Sequence, residues 1–289
     1  MTSGVIYLLT GPAHGIRLVV SLWSLRRHYD GPITVYTTHP VSHHIGELCQ
    51  QDLRLRVEHR RTSSVELPKN SSFLTKLEIL PSVPYDVAVY LDADTLVTGC
   101  IQPLLDSAKE SGFAATQFAN WTSSGRVVRK RIEAWREVKQ SHFDNHWLQQ
   151  LIDEALESRP AVNGGVFGFR QNAEILSTWR DLSYAGWETF ICDEIALQLL
   201  LPRFPHQVLD CRFNCSPVFA GSHKDVRIWH FHGEKHLNRE EARQLWWPAY
   251  CICVAENIAG LTGWTPGDDR RLAGFLRTKH KKNGLNKGQ

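Results

Sequence analysis

The sequence predicts an α/β fold, an open sheet with helices on both faces, and three observations predict it. Short β-branched runs alternate with helical patterns along the first part of the chain. The run at 87–91 is apolar without alternation, as in a strand buried on both faces. Polar residues suited to chemistry follow the strands rather than interrupt them, as ligand-binding edges of such sheets require.

The elements follow in order. Residues 5–10 form an apolar run ended by Thr10-Gly11-Pro12, and Ile16, Val19, Val20 and Trp23 then recur at helical spacing. The next strand is expected at 33–38, a short helix at 42–50 and a third strand at 53–57. A helix over 73–80, closed by Pro81, delivers the chain to the buried strand at 87–91. A further strand is expected at 113–116.

The character then changes. Residues 126–156 read as one long polar helix with Arg126, Arg129, Lys130, Arg131 and Arg136 in its first half and Trp135 and Trp147 interleaved. A solvated face with two core anchors is one reading, and an acceptor surface with Trp as an apolar platform for a sugar ring is the other. Helices at 173–182 and 191–201 and a late strand at 226–232 complete the pattern.

Composition bounds the rest. With 289 residues and 42% hydrophobic content the chain can bury a large core, and one main domain is expected over 1–236. A helical insertion is expected at about 120–158, a helical extension at 237–276 and a basic flexible tail at 277–289. Seven Cys, an odd number without a Cys-x-x-Cys, suggest neither a zinc ribbon nor a complete disulfide framework, which fits a reducing compartment. No charged leader or apolar 18-mer is found, so a soluble cytoplasmic protein is expected. A net charge of +3 argues against a nucleic-acid binder. The basic tail is a solvated segment or a peripheral contact with the inner face of an anionic membrane, helped in the second case by Trp246, Trp247, Tyr250 and Trp264.

The chemistry concentrates at a few points. Asp92 and Asp94 close the buried strand, and at i and i+2 of an extended segment their carboxylates share a side and repel. A hard divalent cation would resolve that repulsion and carry the charge of a diphosphate. With 14 Asp in the chain, about 0.7 Asp-x-Asp pairs arise by chance, so position is the informative part. Asn163-Gly-Gly-Val-Phe-Gly-Phe169 supplies adjacent glycines that permit positive φ and close approach of a ligand to the backbone. Asp193 and Glu194 open a helix, where the dipole alone favours acidic residues. His230 and His232 share one face of the late strand, and either could complete an ion's coordination; Lys235 beyond them suits a phosphate.

In their order these pieces resemble the nucleotide-sugar glycosyltransferases of the GT-A fold, particularly the family 8 group of glycogenin and the bacterial lipopolysaccharide galactosyltransferases. The resemblance spans about residues 5–236 and rests on the strand ending at Thr10, on Lys76, on Tyr90-Leu-Asp-Ala-Asp-Thr-Leu-Val97, on Asn163-Gly-Gly-Val-Phe-Gly168, on Asp193-Glu194 with Gln198, and on His230-x-x-Gly233-x-Lys235. It implies a GT-A, Rossmann-like open mixed sheet and transfer of a monosaccharide from a nucleoside-diphosphate sugar, UDP-sugars favoured, to a hydroxyl of a saccharide, lipid-linked or protein acceptor, with retention. It further implies Mn²⁺ or Mg²⁺ held by Asp92, Asp94 and His230. Thr10, Gly11, Lys76, Asp92, Ala93, Asn163, Gly164, Gly165 and Gly233 would surround the donor, and Asp193, Glu194 and Lys235 would act in transfer. Departures are visible: one residue separates Gly233 from Lys235 where the family has two, His236 follows, and Asp-Glu replaces Asp-Gln. The competing readings are an inverting transferase on this fold, a sugar-phosphate nucleotidyltransferase, whose Gly-rich loop is only faintly echoed at 10–17, and a noncatalytic carbohydrate-binding protein.

Overall fold

The structure, a computed structural model, describes residues 1–10, 14–38, 52, 54–59, 72–137, 145–187, 193–218, 224–232, 240–256 and 258. Its centre is an eight-stranded mixed sheet in the order β3-β2-β1-β4-β8-β6-β7, with β9 on β6. The strands are β1 Ser3–Leu9, β2 Ile33–Thr37, β3 Leu55–His59, β4 Val87–Leu91, β6 Phe113–Thr122, β7 Pro160–Val162, β8 Val166–Arg170 and β9 Gln207–Leu209. A separate two-stranded ribbon joins β5, Thr95–Val97, to β10, Ile228–His230. The first four strands in the order are parallel, and β8 runs antiparallel to both β4 and β6.

Strand periodicity explains the layers. In β1 and β4 alternate side chains enter two different cores: Ile6, Leu8, Ala88 and Tyr90 join one, and Val5, Tyr7, Leu9, Val87, Val89 and Leu91 the other. Helices α1, Gly15–Arg26, and α3, Gln102–Ser111, cover the second face through Leu18, Leu22, Leu104 and Leu105. The first face receives α2 Ser72–Ile79, α4 Arg126–Glu133, α5 Asn145–Leu156, α6 Glu174–Ala185 and α7 Asp193–Leu200. The last described helix, α8 Glu240–Ala255, lies against α1 through Ala242, Trp246 and Tyr250.

Several expectations change. The single helix at 126–156 is instead α4, a 3-10 turn Ala134–Glu137 and α5, with 138–144 outside the described residues. Trp135 is fully buried against the first core and Trp147 packs partly buried on it, so both are anchors and neither is a sugar platform. Trp246 and Tyr250 are buried core residues as well, which removes them from any membrane-facing surface. β6 runs six residues beyond the expected 116, because antiparallel β7 extends its pairing to Thr122. The late strand shortens to Ile228–His230, the residues that find a partner in β5. The helix at 42–50, Trp264 and the basic tail lie outside the described residues. Among the described residues no helix is long and apolar enough to cross a membrane.

Candidate active site

The carboxyl ends of β1 and β4 and the start of antiparallel β8 meet at one edge of the sheet, and a cavity of about 510 Å³ opens there. Its lining includes Thr10, Lys76, Tyr90, Asp92, Ala93, Asp94, Asn163, Gly164, Gly165, Asp193, Glu194 and His230. These residues, all picked out from sequence, converge on one cavity together with His232 and Arg131. Gly11, Gly233 and Lys235 lie outside the described residues.

One side of the cavity is an acidic cluster. Asp92 and Asp94 do not sit on an extended strand as expected; β4 ends at Leu91, and a turn through Ala93 and Asp94 carries the chain into β5. That turn brings the carboxylates together by folding back. Thr95 Oγ1 donates to the Asp92 carbonyl at 2.9 Å, and Tyr90 OH donates to Asp92 Oδ1 at 2.8 Å. Burial, then the Asp92 charge, keeps the Tyr90 phenol protonated far above its ordinary range.

The ribbon supplies the third member. β5 and β10 pair antiparallel with His230 opposite Thr95, and the Phe231 N–H donates to the Asp94 carbonyl at 2.9 Å. His230 Nε2 consequently lies 3.3 Å from Asp94 Oδ1 and 3.5 Å from Asp92 Oδ2. His232 also lines the cavity, its ring packed against His230 at 5.2 Å and against Phe118 at 4.7 Å between centroids, but it falls outside the candidate ligand group. Burial would drive the His230 ring neutral, but hydrogen bonds to Asp92 and Asp94 and their charges outweigh it and push its pKa up to about 9. Burial likewise opposes ionisation of Asp94, and the His230 bond, helped by the charges of His230, Arg17 and His14, holds that carboxyl well below its ordinary range.

The cluster fits a divalent cation on its own chemistry. Asp92, Asp94 and His230 offer one ligand atom each within 4.8 Å of one another, all oxygen or nitrogen. Gly165 cradles them: a Cβ there would lie 2.2 Å from His230 Cε1 and 2.6 Å from Asp92 Oδ2. The expected positive φ is absent at Gly164 and Gly165; among the described residues Gly112 is the glycine that adopts it. The glycine pair is needed for close approach instead.

The opposite side is charge-balanced. Lys76, from α2, pairs with Asp193 at the start of α7, both 5% exposed, and also donates to the Gly164 carbonyl at 2.8 Å. Its ammonium stands 5.3 Å from the centre of the Tyr90 ring and 5.7 Å from that of Trp179. Burial pushes the Asp193 carboxyl up while Lys76 pulls it back. Glu194 accepts from Arg131 at 2.6 Å and from Asn163 Nδ2 at 2.8 Å.

Sequence reading missed the specific partner of Glu194, because Arg131 is one of five basic residues in a crowded stretch, and it missed Phe73 and His14 in the lining. A second cavity of about 300 Å³ adjoins the first across Arg131, Asn163, Glu194 and His232, and is walled by Phe118, Trp121, Val127, Val128 and Ile195.

The architecture is the GT-A fold of glycosyltransferases, a mixed sheet flanked by helices with an acidic site at its edge. Solved structures that share it include the apo form of the glycosyltransferase GlyE of Streptococcus pneumoniae TIGR4, with a TM-score of 0.56 and 14% identity over 90% of this chain. An active-site mutant of LgtC superposes with a TM-score of 0.58 at 15% identity, covering 88% of this chain and 95% of LgtC. The galactosyltransferase LgtC in complex with donor and acceptor sugar analogues gives 0.57 at 14%, over 93% and 99%. This chain spans 64% of the GlyE chain. At these identities the likeness is one of fold. No protein-family model matches the chain, and no curated protein matches it.

Proposed function

We propose that the chain is a metal-dependent glycosyltransferase that moves a monosaccharide from a nucleoside-diphosphate sugar to a hydroxyl acceptor. The observation that carries the reading is the convergence of Asp92, Asp94 and His230 with Lys76, Asn163, Asp193 and Glu194 around one cavity at the sheet edge.

Asp92, Asp94 and His230 would hold the cation, and the imidazole in the set suits Mn²⁺ better than Mg²⁺. When bound, that ion would neutralise charge on the departing diphosphate. Thr10, Ala93, Asn163, Gly164 and Asp193 line the cavity; the first two would border the donor and the other three would face its sugar. The neighbouring apolar cavity, beside the 120–158 insertion, is the acceptor side, with Phe118 and Trp121 as its rings. Retention is favoured because neither acidic residue is placed as an unpaired base: Lys76 holds Asp193, and Arg131 and Asn163 hold Glu194. UDP as the nucleotide, a cytoplasmic location and membrane contact through the tail belong to the same proposal.

The test is release of nucleoside diphosphate from a panel of UDP, GDP and CDP sugars with Mn²⁺, Mg²⁺ or chelator and water as default acceptor. Slow metal-dependent hydrolysis of one donor is expected. Neither turnover nor metal-dependent binding of any donor would leave a binding protein as the better reading. Truncation after Lys279 should lower binding to anionic vesicles at unchanged turnover; equal vesicle binding removes the membrane contact.

A further inference from the structure

Behind the acidic cluster lies a buried amide that the proposed chemistry does not use. Asn214 follows the short turn Cys211–Phe213 and has no exposed surface. Its Oδ1 faces His230 Nδ1 at 2.8 Å, and its Nδ2 faces Thr116 Oγ1 at 2.8 Å and Asn163 Oδ1 at 3.3 Å. We infer that Asn214 is a positioning residue that fixes the His230 ring with its proton on Nδ1, turning Nε2 toward Asp92, Asp94 and a cation they bind. The inference rests on the metal-site reading above.

The direction of each bond follows from groups that have no choice. A backbone N–H can only donate, so the Asn163 atom 2.9 Å from the Gly165 nitrogen is its oxygen. Asn163 Nδ2 then donates to the Glu194 carboxylate, a group that accepts. Thr116 Oγ1 spends its single proton on the Val166 carbonyl at 2.6 Å and presents a lone pair to Asn214. Two acceptors therefore hold the Asn214 nitrogen, and its oxygen is the end that meets His230. A flipped amide would place an N–H₂ against the ring and leave a carbonyl oxygen between two oxygens, with no water-exposed surface to relieve either.

Position as well as protonation is set this way. Cys215, the next residue, forms a bridge to Trp229, with His230 N–H donating to the Cys215 carbonyl at 2.9 Å, so the backbone that carries Asn214 is tied to the strand that carries His230. The same relay runs through Asn163 to Glu194, joining the two sides of the cavity by hydrogen bonds alone.

The experiment measures Mn²⁺ affinity of the whole chain, without sugar, by counting free ion in electron paramagnetic resonance titrations. Asn214→Leu should weaken Mn²⁺ binding by about 10–100-fold, the range for loss of a partner behind a metal ligand. Thr116→Val, which removes one acceptor holding the amide, should weaken binding in the same direction but less than Asn214→Leu, and serves if Asn214→Leu does not fold by circular dichroism. Folded Asn214→Leu or Thr116→Val protein with wild-type affinity overturns the positioning role while the metal site stands. Absence of Mn²⁺ binding in the wild type removes the metal reading and this inference with it.

Discussion

The two sides of the cavity hold the same number of carboxylates and differ in what answers them. Asp92 and Asp94 share one imidazole in direct contact, with Arg17 and His14 acting on Asp94 through their charge alone, whereas Asp193 has Lys76 and Glu194 has Arg131. The first side is therefore electron-rich and calls for a cation from outside; the second is closed on itself and presents polar groups without excess charge. A substrate with a diphosphate at one end and a neutral sugar at the other matches that division.

The sharpest way to break the comparison is to remove charge from the open side. Asp94→Ala should cut metal-dependent donor turnover by at least about 10³-fold, equivalent to about 4 kcal/mol of transition-state stabilisation, with an unchanged circular dichroism spectrum. Full activity at saturating Mn²⁺ would take Asp94 out of the site. On the closed side the loss should appear as stability. Lys76→Met strands a buried carboxylate and should cost about 3–5 kcal/mol in urea unfolding, with Lys76→Met/Asp193→Asn recovering most of it. If the single substitution proves neutral, the pair is not the closed unit described.

Smaller effects sharpen the division. Gly165→Ala should weaken Mn²⁺ binding by about tenfold, since the added methyl meets His230 and Asp92, while leaving Lys76 and Asp193 in place. Unaltered affinity would mean the cluster has room that the Gly165 cradle denies. Glu194→Gln should lower kcat by only about tenfold if its carboxylate acts by holding Arg131 and Asn163. A loss of about 10³-fold at unchanged KM would instead make it a base or nucleophile.

Much of this was legible in the chain because local pattern and fold agree. Val87–Leu91 reads as a strand buried on both faces and is one, and a carboxylate pair after such a strand falls at the sheet edge by topology alone. His230 was legible as a ligand candidate, but its choice over His232 depends on the β5–β10 register, which couples residues far apart in sequence. Asn214 left no trace because a single polar residue after a 3-10 turn has no periodicity, and its meaning arises only from three partners in other segments. The aromatics misled for a related reason. Trp135 and Trp246 interleave with charge in sequence, yet helical geometry turns both inward.

The ribbon of β5 and β10 also sets a schedule. Thr95 and His230 are paired across 135 positions, and Phe231 closes on the Asp94 carbonyl from the same late segment. During synthesis the sheet core of β1, β2 and β4 can leave the ribosome and begin to order while His230 has yet to be translated. A nascent chain thus carries the two carboxylates well before the candidate set that would hold a metal is complete, since His230 follows Thr95 by 135 positions.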